Sequence, residues 1–129
     1  MHCQLTTQVL SGLQNELGPK GFQPIESAIN ENPDVPGFMR QFKPAFPVGV
    51  SEGTDARGFL QIPLFTQAYV PLMAIIDRNG MIREQHTGSE REFFSDDFKV
   101  QTDNLRAAIE KYLAEPAKRP KQKRRRAGR

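Results

Sequence analysis

With 129 residues and 37% hydrophobic side chains, the chain has material for one buried core and not for two. A single cysteine excludes an internal disulfide framework and any cysteine-rich zinc site. The formal charge of +3 belongs to one end: 116–129 holds Lys118, Arg119, Lys121, Lys123, Arg124, Arg125, Arg126 and Arg129 with no acid, and the rest sets ten Lys/Arg against fifteen Asp/Glu, a net of −5.

The first element is a helix. Leu5, Val9, Leu13 and Leu17 recur every four residues with Leu10 beside them, one apolar stripe that Gly18-Pro19 brings to an end. Residues 22–29 read as a strand weakened by Pro24. Asn32-Pro33-Asp34 is turn chemistry, and 35–42 makes a short helix with Phe38, Met39 and Phe42 facing inward. A proline-bounded strand at 46–50 and a short helix at 54–62, interrupted by Gly58, come next. The run 71–77, Pro-Leu-Met-Ala-Ile-Ile-Asp, has the unbroken apolar character of a strand buried on both faces. Arg78-Asn79-Gly80 closes a hairpin, with Asn-Gly supplying positive φ angles, and 81–86 returns as the partner strand up to Gly88. Asp77 is expected to orient the turn, and His86 to be a surface residue. Glu90, Glu92, Asp96 and Asp97 read as a solvated loop with Phe93 and Phe94 packed beneath it, the alternative being that these two line a substrate groove. A last helix within 97–113 carries Leu105, Ala108, Ile109, Tyr112 and Leu113 on one face. The expected organisation is one α/β domain over 1–115 and a disordered basic tail over 116–129.

Cys3 stands at the amino end of the first helix, where Met1-His2-Cys3-Gln4 matches the second half of a Cys-x-x-Cys motif. Val70-Pro71 stands directly before the apolar strand, and Ile75-Ile76-Asp77-Arg78-Asn79-Gly80-Met81-Ile82 forms the hairpin. In this order the three features resemble the thioredoxin-like superfamily, and within it the TlpA-like, ResA-like and AhpC/TSA (peroxiredoxin-related) redoxins, over residues 3–113. The resemblance implies a three-layer sandwich: a mixed sheet with helices on both faces, here lacking the central strand that normally precedes the active-site helix. It implies thiol–disulfide exchange with protein dithiol or disulfide substrates or a reductase. Cys3 would be the resolving thiol, His2 a modulator of its pKa, and Pro71 a cis-proline that, with Val70, contacts substrate backbone. The first cysteine of the motif is not in the sequence, so the chain alone is expected to be inactive in dithiol exchange. Unpaired strand edges would leave it poorly soluble or molten by itself. A non-catalytic thioredoxin-like interaction module and a peroxide reductase are the alternatives.

The physical logic of the resemblance is that a cysteine at a helix amino end feels unpaired N–H groups, which favour its thiolate. No metal and no cofactor are expected, since His2 and Cys3 would be only two ligands. The tail is expected to contact anionic surfaces non-specifically through its charge. No specific nucleic-acid recognition and no transmembrane segment are expected, because no run approaches the roughly 18 apolar residues of a span. No signal peptide is apparent. As written the chain would be cytoplasmic, or periplasmic or membrane-anchored if a signal segment precedes it.

Overall fold

The computed structural model describes residues 2–117, with the side chain of His2 left out. The expected tail therefore lies, from Lys118 onward, outside the described residues. The protein is of mixed α/β class. Its elements are α1 (His2–Leu17), a 3₁₀ turn (Gly18–Lys20), β1 (Glu26–Ala28), α2 (Val35–Phe42), β2 (Val48–Val50), α3 (Gly53–Phe59), β3 (Met73–Ile76), β4 (Ile82–His86) and α4 (Phe98–Leu113).

The α1 stripe does what its spacing dictates. Val9, Leu13 and Leu17 are buried and pack against Leu105 and Ile109 of α4, and Leu10, Phe22, Met73, Phe93 and Leu113 close around them. Each such side chain taken out of water contributes about 1.5–3 kcal/mol. The stripe is polar at its amino end, however. Thr6 and Thr7 are buried there, while Leu5 is only half-buried. The helix ends at Leu17, directly before Gly18-Pro19, and the 3₁₀ turn that follows is closed by Gly21 at φ 109°, a left-handed conformation that favours glycine; its N–H donates to the Gly18 carbonyl at 2.9 Å and the Phe22 N–H to that of Leu17 at 3.2 Å. At the other helix, Asp97 caps α4 by accepting from the Val100 N–H at 3.0 Å, so it is a cap and not a free loop acid. Asp34 caps α2 in the same way through the Gly37 N–H at 2.9 Å.

The strands form two sheets of two. β1 and β2 pair in parallel, Glu26 opposite Val48 and Ala28 opposite Val50. β3 and β4 pair antiparallel, Met73 opposite His86, with an irregularity between Ile75 and Ile76. No ladder joins β1 to β3 among the described residues. The apolar run 71–77 is consequently not buried on both faces: Met73, Ala74 and Ile75 are half-buried and Ile76 is 44% exposed. A central-strand sequence is left with one strand partner instead of two.

The hairpin also differs in detail. Gly80 alone takes positive φ (80°), and Asn79 does not. The Gly80 N–H donates to the Asp77 carbonyl at 3.0 Å and the Asp77 N–H to that of Met81 at 2.9 Å. Arg78-Asn79-Gly80 is thus the three-residue loop expected, but built as a turn followed by one left-handed residue, with Gly80 alone supplying the positive φ. Asp77 orients it as expected, its Oδ1 accepting from the N–H groups of Asn79 (2.9 Å) and Met81 (3.0 Å).

Candidate functional site

Cys3 lies in the first turn of α1, half-buried and free of any disulfide. Its thiol is pushed up, first by burial and then by the nearby Glu26 carboxylate. The helix amino end was expected to pull it down; desolvation and a like charge outweigh that pull. The His2 side chain, named as a modulator, lies outside the described residues.

Two residues that carry this site's electrostatics were not singled out from sequence. Glu26 opens β1, placed by its N–H donating to the Pro47 carbonyl at 3.1 Å. The Thr7 hydroxyl, one turn beyond Cys3, is 2.9 Å from the Cys3 carbonyl oxygen and 2.9 and 2.8 Å from the two Glu26 carboxyl oxygens. Burial pushes Glu26 up and the Thr7 hydrogen bond pulls it partly back. A hydroxyl has one proton. With Glu26 ionised, Thr7 must choose between the carboxylate and the carbonyl. With Glu26 protonated, its O–H donates to Thr7 and Thr7 donates to Cys3, so every group is satisfied. Glu26 is thus a partly desolvated carboxyl able to take a proton, one hydroxyl away from the Cys3 backbone. The available signal was a carboxylate in a strand facing a threonine in an apolar helix stripe.

Thr6 points the other way. Its hydroxyl donates to Gln101 Oε1 at 2.8 Å, and Gln101 Nε2 donates to the Ser95 carbonyl at 2.8 Å. Gln101 is wholly buried, at 0% exposure. Adjacent threonines therefore fasten the Cys3 turn to α4 and to β1.

The Val70–Pro71 peptide is cis, and Val70 is exposed. The segment is backed by Gly88, whose N–H donates to the Tyr69 carbonyl at 2.7 Å. A Cβ on Gly88 would fall 2.1 Å from the Val70 carbonyl oxygen, so only glycine admits this approach. Gly88 was read merely as the end of a strand. Among the described residues no hydrogen bond links Cys3 to Val70 or Pro71.

His86 is half-buried and engaged, where a free surface residue was expected. Its ring stacks on Phe93 with centroids 3.7 Å apart and planes within 4°. Its nitrogens meet Glu84 Oε1 at 2.8 Å and Glu90 Oε1 at 2.9 Å, and Glu90 also accepts from the Thr87 N–H at 2.7 Å. Burial pushes Glu84 up, but hydrogen bonds from Tyr112 and His86 outweigh it and hold it below the ordinary carboxylate range. Phe93 packs under the loop as expected and Phe94 is buried. These groups satisfy one another and brace the loop.

An open recess of about 490 Å³ lies between the hairpin and the end of α4, lined by Asp77, Arg83, Tyr112 and Glu115 among others. It does not include Cys3, and Arg83 is already paired with Asp77 (3.0 Å) and Glu115 (2.5 Å). No group of three or more His, Cys, Asp or Glu among the described residues is placed to hold a metal ion. No helix among them is long and apolar enough to cross a membrane. Comparisons with protein-family models, with curated proteins and with solved structures return no match.

Proposed function

We propose that this chain is a thioredoxin-like domain of thiol–disulfide oxidoreductase type, in which Cys3 is the resolving thiol. The observation that carries this reading is the half-buried Cys3 thiol in the first turn of α1, close enough to Glu26 to feel its charge, with Thr7 tying the Cys3 backbone carbonyl to that carboxyl. A thiol pushed up by burial and a carboxylate is a poor first attacker, because the thiolate is the nucleophile. It suits a group held in reserve until a mixed disulfide is brought to it.

The step then runs as follows. A second thiol, not among these 129 residues, has attacked a protein disulfide and is joined to one substrate sulfur. The Cys3 thiol gives its proton to Glu26, and its thiolate attacks the sulfur of that second cysteine. A disulfide to Cys3 forms, the bond to substrate breaks, and the substrate leaves as thiolate and takes up a proton. Two thiols of the protein are oxidised and one substrate disulfide is reduced. Val70 and Pro71 are the residues assigned to substrate backbone. The sandwich that this reading implies would set its missing sheet partner between β1 and β3, consistent with the half-exposed apolar face of β3.

The test is a chain with one cysteine added directly ahead of Met1. It should close an intramolecular disulfide and catalyse insulin reduction by dithiothreitol, and Cys3→Ser should abolish the activity. Intermolecular dimers alone, or activity that survives Cys3→Ser, would overturn the reading. The single cysteine favours one other reading, a non-catalytic interaction module of the same fold, whose partner binding would be indifferent to alkylation of Cys3.

A further inference from the structure

Both ring nitrogens of His86 meet carboxylates, Nε2 at 2.8 Å from Glu84 Oε1 and Nδ1 at 2.9 Å from Glu90 Oε1. A neutral imidazole has one N–H to give, and an ionised carboxylate only accepts. With both carboxylates ionised, the imidazolium alone meets the two bonds at once. Phe93 favours the same form, since its ring lies parallel to the imidazole at 3.7 Å and a cation is drawn to an aromatic face. The remaining surroundings do not compete for these nitrogens. From α4, Tyr112 donates to the other oxygen of Glu84 at 2.5 Å, and the charge of Lys111 acts on the same carboxylate. From β3, uncharged Met73 stands opposite His86, and Phe94 meets the ring edge-on at 6.4 Å.

The bond to Glu90 closes a turn. The second oxygen of Glu90 accepts from the Thr87 N–H at 2.7 Å, and the Glu90 N–H donates to the Thr87 carbonyl at 3.0 Å. Gly88 lies inside that turn. Its N–H holds the Tyr69 carbonyl at 2.7 Å, and a Cβ on it would fall 2.1 Å from the Val70 carbonyl oxygen. Backbone packed on backbone leaves no slack, so a turn that moves takes Tyr69 and Val70 with it.

From this geometry we infer that His86 is a proton-operated clasp: as imidazolium it holds the Thr87–Glu90 turn to β4, and through Gly88 it sets the backbone of Tyr69 and Val70. Loss of the proton leaves one N–H for two carboxylates. Glu84 keeps it, being also held by Tyr112 and the less exposed of the two acids, 24% against 42%. The Nδ1 lone pair then faces the Glu90 carboxylate, and the turn is released. Histidine suits such a device, because its charge changes nearest neutrality. His86 is thereby a positioning residue for Val70. That consequence rests on the assignment of Val70 to substrate backbone; the clasp itself does not.

The test is NMR on the isotope-labelled full chain, titrated from about pH 5 to 8, the interval in which imidazoles commonly change charge. The His86 ring nitrogens are followed beside the backbone amides of Tyr69, Val70, Thr87 and Gly88. These amides are expected to shift with the midpoint of the His86 ring. Protection of the Thr87 and Gly88 amides from exchange should fall about tenfold or more as pH rises through it, the scale of one hydrogen bond to a charged group. His86→Gln, which leaves His2 as the chain's one imidazole, should make the amides flat. Glu90→Gln should reverse the dependence. The new side-chain oxygen still accepts from Thr87, while its NH₂ donates to neutral Nδ1, so the turn is held better above the midpoint than below it. Tyr69 and Val70 amides that stay flat while the ring titrates would overturn the inference. So would a ring that keeps one charge throughout, or a Glu90→Gln variant with the parent's dependence. None of these readouts uses Cys3. A cysteine-extended chain that fails to reduce insulin, yet shows the shared midpoint, would remove the oxidoreductase reading and leave the clasp; an active chain with flat amides would remove the clasp alone.

Discussion

Thr6 and Gln101 are separated by 95 positions and joined by a 2.8 Å hydrogen bond in a site that water does not reach, which makes them a sharp test of how the Cys3 helix is held. Thr6→Val keeps the shape of the side chain and removes the donor, leaving Gln101 Oε1 buried without a partner. An orphaned buried acceptor costs about 1–3 kcal/mol, and an isosteric change opens no cavity to add to that. Gln101→Leu strands two groups, the Thr6 hydroxyl and the Ser95 carbonyl, so it should cost about twice as much. The double variant removes both ends of the Thr6–Gln101 bond and leaves only the Ser95 carbonyl, on a half-buried residue, to find water. Its loss should fall short of the sum of the two by about 2–3 kcal/mol, because the Gln101 oxygen and the Thr6 hydroxyl orphaned in the single variants are both gone. Urea unfolding of the three variants and the parent measures this directly. For a chain of this size 1 kcal/mol is roughly 3–5 °C in Tm, so thermal scans give a second reading. Single losses that add within about 0.5 kcal/mol would mean that the two side chains act independently, and the reasoning would fail.

Gly88→Ala places a Cβ against the Val70 carbonyl, backbone on backbone, with no flexible side chain to give way. It should destabilise by about 2 kcal/mol or more and shift the amide resonances of Tyr69 and Val70; an unchanged spectrum would refute the close approach. Glu26 supplies a pH dependence whose sign is set by burial. Its folded-state pKa is raised, so its contribution to stability is whole below the unfolded-state pKa and is lost as pH rises through the folded one. Glu26→Gln should flatten that fall in the urea midpoint as pH rises above the ordinary carboxylate range, and an identical slope in the variant would remove Glu26 from the account. The same substitution removes one cause of the raised Cys3 thiol, so the pH profile of Cys3 alkylation should move to lower pH.

Much of this fold is written in local chemistry. The α1 stripe, the bounds of α2 at 35–42, the hairpin at 77–82 and the inward face of α4 each depend on residues within a few positions of one another, and each is in place. What escapes local reading depends on partners far along the chain. Thr7 looks like a neutral interruption of a helix until β1 brings Glu26 against it, 19 positions later. Gln101 looks like a solvated helix residue until α1 brings Thr6. His86 looks exposed until Glu84, Glu90 and Phe93 enclose it. In each case a polar side chain is withdrawn from solvent, wholly for Thr7 and Gln101 and in part for His86, because its hydrogen bonds are met, and no apolar periodicity records that. The 71–77 run fails for the converse reason. Its composition suits burial on both faces, but burial is conferred by neighbouring strands, and β4 is the one strand that pairs with it among the described residues.

The two small sheets are therefore linked by α1 instead of by a ladder. β1 is tied to the helix by Thr7 and Glu26, and β3 by Met73 packed against the α1–α4 core. Since β1 and β3 share no backbone hydrogen bonds, their relative placement rests on side chains that converge on one helix. Cys3 sits at the end of that helix where the polar ties are concentrated. A substitution that loosens Thr6 or Thr7 should thus act on two properties together, the docking of β1 and the setting of the thiol. A change at Leu13 or Leu17, deep in the apolar stripe, should weaken the fold while leaving the local surroundings of Cys3 as they are.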